Sequence, residues 1–557
     1  MGSSQRLLGS EIVVKCLEEQ GTKHVFSFPG GVVIPLFDAF YRMDHDIQQI
    51  EPCHEQNGVH AADGYARVTG RASVAITTSG PGATNAVTGI ANAYLDSVPL
   101  VVITGQVAQA LLGKDSFQEI DITSVTMQIT KHNFQVNDVT MLATTLREAF
   151  RIAESGRPGP VVVDIPKDIF MTEADYTPID VETLKHNAPR RPGPQRDAVM
   201  RAAEFINAAK RPIIYAGGGV IKSNASEELI SFAKKSGIPV ANSLMGLGSF
   251  PRTDPLSLGL VGMHGSHECN LAVINCDTLI AIGARFSDRV TGNINEFMRD
   301  KKIIHIDIDP TEFEKNVPTN VHIQADVKEV LKIMLPLVEE KTYPDWYAQI
   351  DQWPVKGRDC DEYCPKNIIE RLNKAYEDAY VVTEVGQHQM WAGQYWKFKY
   401  PTQFNTSGGL GTMGYGLGAS IGIQLAKPDS DVVLIAGDGS FRMNCQELIT
   451  VSRYKLPIKI FLFDNQTLGM VRQWQKLFHG KRYAQTDLDQ GTTDYCKLAE
   501  ASGIQSFTVE NLDDLDEVLE EIKDKNEPVF VRCLISKEEG VYPMVAAGNP
   551  IDELYYE

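Results

Sequence analysis

The stretch DVVLIAGDGS, Asp431 to Ser440, governs the reading of this sequence. Its β-branched and apolar first part has the composition of a buried strand. FRMNCQELITVSRYKL follows with apolar residues at helical spacing, so Asp438 is expected at the carboxyl end of a strand. A second apolar run, IKIFLF, then delivers Asn465 to the same edge of the same sheet. Gly437 and Gly439, with Ser440 beside them, let the backbone come close to a charged ligand. Asp438, Asn465 and a backbone carbonyl near Thr467 offer the hard oxygens that a magnesium-sized cation takes. The arrangement suits a diphosphate held through a metal. GDG alone is common turn chemistry, and its weight comes from being joined to Asn465 by a helix and a strand.

Around this stretch lies a chain of 557 residues, too long for one ordinary core. With 43% hydrophobic and 22% charged residues it has the composition of a soluble globular protein. A net charge of −19 argues against nucleic acid or an anionic membrane as partner. The nine scattered cysteines are expected to be reduced thiols, and the close pair Cys360 and Cys364 to be structural, since no second pair completes a zinc site. MGSSQRLLGSEIVVKCLEEQG holds no long apolar run, so no signal peptide or membrane span is expected, and a cytoplasmic location is.

Strand-like and helix-like runs alternate throughout, which predicts an α/β protein of doubly wound parallel sheets. HVFSF, SVAITT, PLVVITG and PVVVDIP are the strands of a first domain, 1–175. RPIIYAGGGV, IPVANSL, DTLIAIGARF and KKIIHIDID belong to a central domain, 195–340. AYVVTEVG, DVVLIAGDGSF, IKIFLFDN and PVFVRCLI belong to a third, 360–540, followed by a tail, 541–557. YTPIDVETLKHNAPRRPGPQRD and EEKTYPDWYAQIDQWPVKGRDCDEYCP are weakly patterned separators. The first and third domains also echo each other in the order strand, glycine turn, helix, proline, strand.

GDG with its downstream asparagine resembles the motif that binds thiamin diphosphate (ThDP). That cofactor needs an anchored diphosphate, a bent conformation and a carboxyl group against its pyrimidine ring. EVGQHQM supplies a glycine turn opening a helix, with Val385, Gly386, Gln387 and His388 placed where amides can meet phosphate. In SGGLGTMGYG the glycines, Gly411 among them, free Met413 to press between two rings. In EPCHEQNGVHAADGYARVTG, Glu55 stands at a strand-to-helix turn of the first domain. A glutamate there commonly serves the helix dipole; beside a ThDP site it is the activating acid.

FPGG, HEQ, TSGPGATN, SFQEID, RPGPVVVDIPKD, GMHG, GARFSDRVTGN, GQHQMW, GLGTMGYG, LGMVRQWQ and YPMVAAG run in order along nearly the whole chain. Together they resemble the catalytic subunit of the acetohydroxyacid synthase (acetolactate synthase) family. The resemblance implies three domains of the ThDP-binding fold: pyrimidine-binding, FAD-binding-like, and diphosphate-binding. It implies decarboxylative condensation of two 2-oxo acids, pyruvate with pyruvate or with 2-oxobutyrate, in branched-chain amino-acid synthesis. ThDP, Mg2+ and a redox-silent FAD are the implied cofactors. A homodimer or homotetramer is the implied assembly, with a small regulatory subunit as a possible partner. Glu55 matches the activating carboxylate, and Gly30 a glycine near the reacting carbon. Phe117, Gln118 and Lys167 match residues of the substrate approach. Arg289 matches the group that holds the second acid's carboxylate, and Trp474 the one that meets its side chain. Pro81, Asn85 and Met470 fall in the cofactor motifs. For FAD the matching positions are Arg157, Gly217, Gly218, Gly219, Ser243, Leu244, Met245, Gly262, Met263, His264, Gly283, Arg285, Asp288, Arg289, Asp307 and Asp326.

This chain departs from the family pattern at Asp464, commonly asparagine, at Gly418, commonly proline, and at Asn57, usually glycine. Pyruvate oxidase also joins ThDP to FAD, but LGMVRQWQ and Arg289 favour carboligation. Sulfoacetaldehyde acetyltransferase and oxalyl-CoA decarboxylase match the substrate site less well. Simple 2-oxo acid decarboxylases commonly carry a His-His pair, and no HH occurs here. Glyoxylate carboligase lacks the glutamate that Glu55 supplies. A silent ThDP-fold scaffold would have lost Glu55, Asp438 or Asn465, and all are present.

Overall fold

The computed structural model describes residues 4–180, 193–353, 362–488 and 493–556. The first sheet-forming segment begins with β1 (Gln5–Leu8) and continues through β2 (His24–Ser27), β3 (Gln48–Ile50), β4 (Ser73–Thr77), β5 (Leu100–Gln106), β6 (His132–Gln135) and β7 (Pro160–Pro166). Strands β2 to β7 form one parallel sheet in the order β3-β2-β4-β5-β7-β6, and β8 (Glu173–Tyr176) returns antiparallel to β1. Every residue of β4, β5 and β7 is buried, as expected for strands covered by helices on both faces.

The second sheet has β9 (Pro212–Ala216), β10 (Val240–Asn242), β11 (Ser257–Leu260), β12 (Thr278–Ile282), β13 (Lys302–Asp307) and β14 (Val321–Gln324), in the order β11-β10-β9-β12-β13-β14. This is the strand order of dinucleotide-binding folds. The third has β15 (Tyr380–Thr383), β16 (Phe404–Asn405), β17 (Val432–Gly437), β18 (Lys459–Asp464), β19 (Gln505–Val509) and β20 (Val529–Leu534), in the order β16-β15-β17-β18-β20-β19. Counted from its own first strand, it repeats the permutation of the first sheet, which gives the echo between the two segments a structural counterpart. Two short strands, β21 (Met544–Val545) and β22 (Leu554–Tyr555), pair antiparallel in the tail.

Two sequence expectations are corrected. Part of the second separator is a helix, Pro344–Gln352: proline starts it, and Trp346 and Ile350, one turn apart, bury against the central core. Trp346 also donates its indole N–H to the Pro212 carbonyl at 3.2 Å. Seven cysteines are free thiols as expected. Cys364, however, is disulfide-bonded, and Cys360 and the rest of 354–361 lie outside the described residues, as does 181–192 of the first separator. Among the described residues no helix is long and apolar enough to cross a membrane.

The first and third sheets meet through two helices, Glu55–Thr69 and Gly416–Ala426. Their backbones touch because glycine stands at the contacts. A Cβ on Gly64 would overlap the Ala419 carbonyl, and one on Gly422 the Ala61 carbonyl. At the side of this contact Arg67 bonds to Asp63 at 2.5 Å and Asp96 at 2.8 Å, and Tyr415 donates to Asp63 at 2.9 Å, all fully buried or nearly so. Gly422→Val forces the helices apart against backbone that cannot yield. It should cost roughly 1–3 kcal/mol, read as a lower denaturant midpoint; an unchanged midpoint would refute the close contact.

Candidate active site

Parallel pairing in register, Gly437 opposite Phe463, sets the ends of β17 and β18 side by side. Asp438 then begins a short helix, and Asn465 follows β18 directly. Both side chains are buried, as is Thr467. Asn465 donates its amide to Gln387 Oε1 at 3.3 Å, while its Oδ1 accepts from the Thr467 N–H at 3.2 Å. Burial, and then the neighbouring Asp464 carboxylate, push the Asp438 carboxyl well above the usual carboxylate range. Asp464 itself is paired with Arg532 at 2.5 Å. A buried acid so strained, beside an amide oxygen, is a donor set that a hard divalent cation relieves. Among the described residues no cluster of three or more His, Cys, Asp or Glu forms a metal site, so an ion here would rely on amide and carbonyl oxygens as well.

A cavity of about 90 Å³ opens at this point, lined by Val385, Gly386, Gln387, His388, Met413, Gly437 to Ser440, Asn465, Thr467 and Met470 among others. It lies where the loops after β15 and β17 diverge, the switch point at which such sheets bind ligands. His388 lines it with a buried, unpartnered Nε2, and burial pushes its imidazole down to about 3, so the ring is neutral. A Cβ on Gly437 would come within 2.6 Å of His388 Nδ1, so this close approach requires glycine. The residues present therefore fit a phosphate and its cation. The volume is a fraction of that of a pocket for a whole organic cofactor, and every lining residue lies between Val385 and Val471.

The first-domain candidates gather at the carboxyl edge of the first sheet. Gly30 follows β2, and a Cβ there would overlap Thr78. Glu55 starts its helix, 9% exposed, and accepts from Asn85 Nδ2 at 2.9 Å. Pro81 and Asn85 bound the short helix after β4, and Lys167 begins the one after β7. Phe117 is 87% exposed on a loop folded around the Glu119 carboxylate, which accepts the Ser116 N–H at 2.8 Å. Gln118 there has φ +61° and packs on Gly80, where a Cβ would lie 2.9 Å from its Cα. None of Gly30, Glu55, Pro81, Asn85, Phe117, Gln118 or Lys167 lines the 90 Å³ cavity.

A larger cavity, about 940 Å³, opens beside the central sheet. Arg157, Gly218, Gly219, Ser243, Leu244, Met245, Met263, His264, Gly283, Arg285, Arg289, Asp307 and Asp326 line it. Gly217 and Gly262 stand behind, pressed on the Gly283 and Arg289 carbonyls, and Asp288 precedes Arg289. Gly411 lines this cavity and not the smaller one. Gly217 to Gly219 and Gly283 to Arg285 follow β9 and β12, the switch point of this sheet. His264 carries a buried Nε2 without a partner, and burial followed by Arg289 pushes its imidazole down to about 4. Volume, glycine turns and the orphaned nitrogen fit a dinucleotide-sized ligand.

Arg289 lies at the larger cavity with Nη1 at 3.8 Å from Met263 Sδ. Trp474 lines neither cavity; it is one turn beyond Met470 on the helix Gly469–Phe478, against Phe478. The tail joins the two neighbourhoods. Val545 N–H bonds to the Met263 carbonyl at 2.8 Å, and Gln473 Nε2 to the Val541 carbonyl at 2.9 Å.

Sequence reading missed Glu384. It is fully buried and accepts from Gly414 N–H at 2.8 Å, Leu417 N–H at 3.1 Å and Ser440 Oγ at 2.6 Å, tying the Met413 loop to the GDG turn. Its only sequence signal is an acid ending a strand. Glu384→Ala leaves those donors unpaired, at about 1–3 kcal/mol for each buried group. The expected result is a loss of several such units in denaturant unfolding, with Glu384→Gln losing less; equal stability of all three proteins would contradict the anchoring role.

Three family models match the chain: "Thiamine pyrophosphate enzyme, N-terminal TPP binding domain" over 8–125, the central domain over 199–334, and the C-terminal TPP binding domain over 384–533. A probable acetolactate synthase large subunit of Methanocaldococcus jannaschii is 45% identical over 98% of this chain and 95% of its own length. The acetolactate synthase large subunit of Haemophilus influenzae is 42% identical, covering 99% and 98%. The isozyme 3 large subunit of Escherichia coli is 41% identical, covering 99% of both. With three parallel-sheet domains in matching order and near-complete coverage by these relatives, the chain belongs to the acetolactate synthase large-subunit family of thiamine pyrophosphate enzymes.

Proposed function

We propose that this chain condenses two 2-oxo acids with loss of carbon dioxide. Pyruvate would join a second pyruvate to give 2-acetolactate, or 2-oxobutyrate to give 2-aceto-2-hydroxybutyrate, as in branched-chain amino-acid synthesis. The observation that carries this reading is the buried pair Asp438 and Asn465 at a switch point, in a chain 45% identical to a probable acetolactate synthase large subunit. Bound there, ThDP supplies a carbon nucleophile and a sink for the electron pair left when carbon dioxide departs.

The chain's own residues then divide the work. Asp438, Asn465 and the Thr467 carbonyl would hold Mg2+, and the turn Gly386 to His388 would meet the diphosphate. Met413, which lines the same cavity, would pack against the cofactor's rings. Glu55 exchanges a proton with the pyrimidine nitrogen. Arg289 holds the carboxylate of the second acid through its guanidinium fork, and Trp474 meets that acid's alkyl group. Gly30, Phe117, Gln118 and Lys167 line the approach. The larger cavity would take FAD, in a structural role. Since the smaller cavity has no wall from the first domain, a second copy of the chain completes it, giving a homodimer or a dimer of dimers.

Product analysis of purified protein supplied with pyruvate, 2-oxobutyrate, ThDP and Mg2+ tests this reading. Acetolactate, acetohydroxybutyrate and an oxidised flavin spectrum throughout turnover are expected. Bleaching of the flavin in step with pyruvate use would move the protein to an oxidase. A methylene in an apolar pocket is worth roughly 1–3 kcal/mol, about 10- to 200-fold in selection. Trp474→Leu should therefore lower the ratio of acetohydroxybutyrate to acetolactate while total decarboxylation holds. An unchanged ratio would assign the side chain to another residue.

A further inference from the structure

Glu447 ends the turn Cys445–Glu447, shortly after the Asp438 element, and it is fully buried. Its carboxylate reaches across to the first domain. Oε1 accepts from the Cys53 N–H at 3.0 Å, the His54 N–H at 3.0 Å and the Asn57 side-chain amide at 3.1 Å. Oε2 accepts from the Cys53 N–H at 3.1 Å and from Thr450 Oγ1 at 2.6 Å. Two of these donors are the backbone of the residues immediately before Glu55, and a third lies two residues after it. An ionised carboxylate is acceptor-only and can take all of them; an amide in its place would turn an N–H against an N–H. The residues on either side of Glu55 are thus tied to the third domain through Glu447, while further upstream Tyr454 accepts the Glu51 N–H at 2.9 Å and Cys53 Sγ donates to the Gln446 carbonyl at 3.4 Å.

Asn57, one of the donors to this carboxylate, packs against Gly418 of the facing helix. A Cβ on Gly418 would lie 2.9 Å from His60 Cβ, 3.0 Å from the Asn57 carbonyl and 3.2 Å from Asn57 Oδ1. Gly418 therefore leaves the space that Asn57 fills, and Asn57 spends that space on the hydrogen bond to Glu447. A glycine at 57 could not make this tether.

We propose that Glu447 is a positioning residue for Glu55, fixing the Cys53 to Asn57 turn and so the place of the Glu55 carboxylate, with Asn57 and Gly418 as a matched pair that strengthens its hold. The inference rests on the reading of Glu55 as the activating acid. The test measures three quantities on holoenzyme variants: exchange of the thiazolium C2 proton of bound ThDP, ThDP affinity, and the unfolding midpoint. A misplacement of the order of 1 Å can cost about 100-fold. Glu447→Gln should slow exchange by roughly 10- to 100-fold while ThDP affinity, set by the Asp438 half, stays within about twofold. Glu447→Asp, still acceptor-only but shorter, and Asn57→Gly, which removes one donor, should slow it less. They also serve if Glu447→Gln does not fold. Asn57→Asp in the Glu447→Gln background reverses one hydrogen bond and should recover part of the rate.

Exchange at the wild-type rate in the bound fraction of Glu447→Gln and Glu447→Asp, whatever their stability, would overturn the proposal. Glu55→Gln is the control that separates the two claims. If it too exchanges normally, the reading of Glu55 fails and takes the positioning role with it. If it alone is slow, only the role of Glu447 fails.

Discussion

The close contact between the helices Glu55–Thr69 and Gly416–Ala426 is the constraint on which the remaining architecture depends. Glycine at 64 and 422 lets two backbones touch, and a buried cluster of Arg67, Asp63, Asp96 and Tyr415 fixes their rotation. Removing one member of such a cluster leaves a buried charge unpaired, typically at about 3–5 kcal/mol. Asp96 also accepts the Gly408 and Gly409 N–H groups at 3.1 and 2.7 Å, so the same cluster steadies the loop that ends in Met413. One joint therefore orients the Glu55 helix and the Met413 loop together. It also fixes the two carboxyl sheet edges within one chain, and the cavity beside Asp438 closes without a wall from the first domain.

Strand order explains where the candidate sites fall. Each sheet reverses direction between its first strand and the strand that follows on the other side, β2 and β4, β9 and β12, β15 and β17. Gly30 with Pro81, Gly217 to Gly219 with Gly283 to Arg285, and Gly386 to His388 with Gly437 to Ser440 stand at those three places. The glycines there follow from close approach: a Cβ on Gly217 or Gly219 would meet the Gly283 backbone, one on Gly30 the Thr78 side chain, and one on Gly386 or Gly437 the His388 ring.

The sequence was most legible where burial is continuous. Strands such as β5, β9, β12, β17 and β18 are buried from end to end and apolar along most of their length, so they stand out by composition. The strands at the sheet edges, β3 and β6, β11 and β14, β16 and β19, were not read: they are short or of mixed exposure, so no apolar run marks them. Trp346 was hidden for a related reason, because its helix is short and lies amid polar residues and its partners are in the central core. Asp438 and Asn465 were legible because strand, turn and helix are local. Glu384 and Glu447 were not, because their meaning lies in donors from elsewhere, in the second case nearly four hundred residues away. The tail's link between Met263 and Gln473 was likewise invisible in the order of residues.

In the proposed assembly the activating acid Glu55 and the cation-holding acid Asp438 of one site come from different chains. Mixing Glu55→Gln protein with Asp438→Ala protein, each inactive alone, and letting subunits exchange, measures it most directly. Random pairing makes half of the dimers mixed, and each mixed dimer has one site with both acids intact. About one quarter of wild-type activity is therefore expected. No activity in a mixture whose mixed dimers are verified by mass would contradict it.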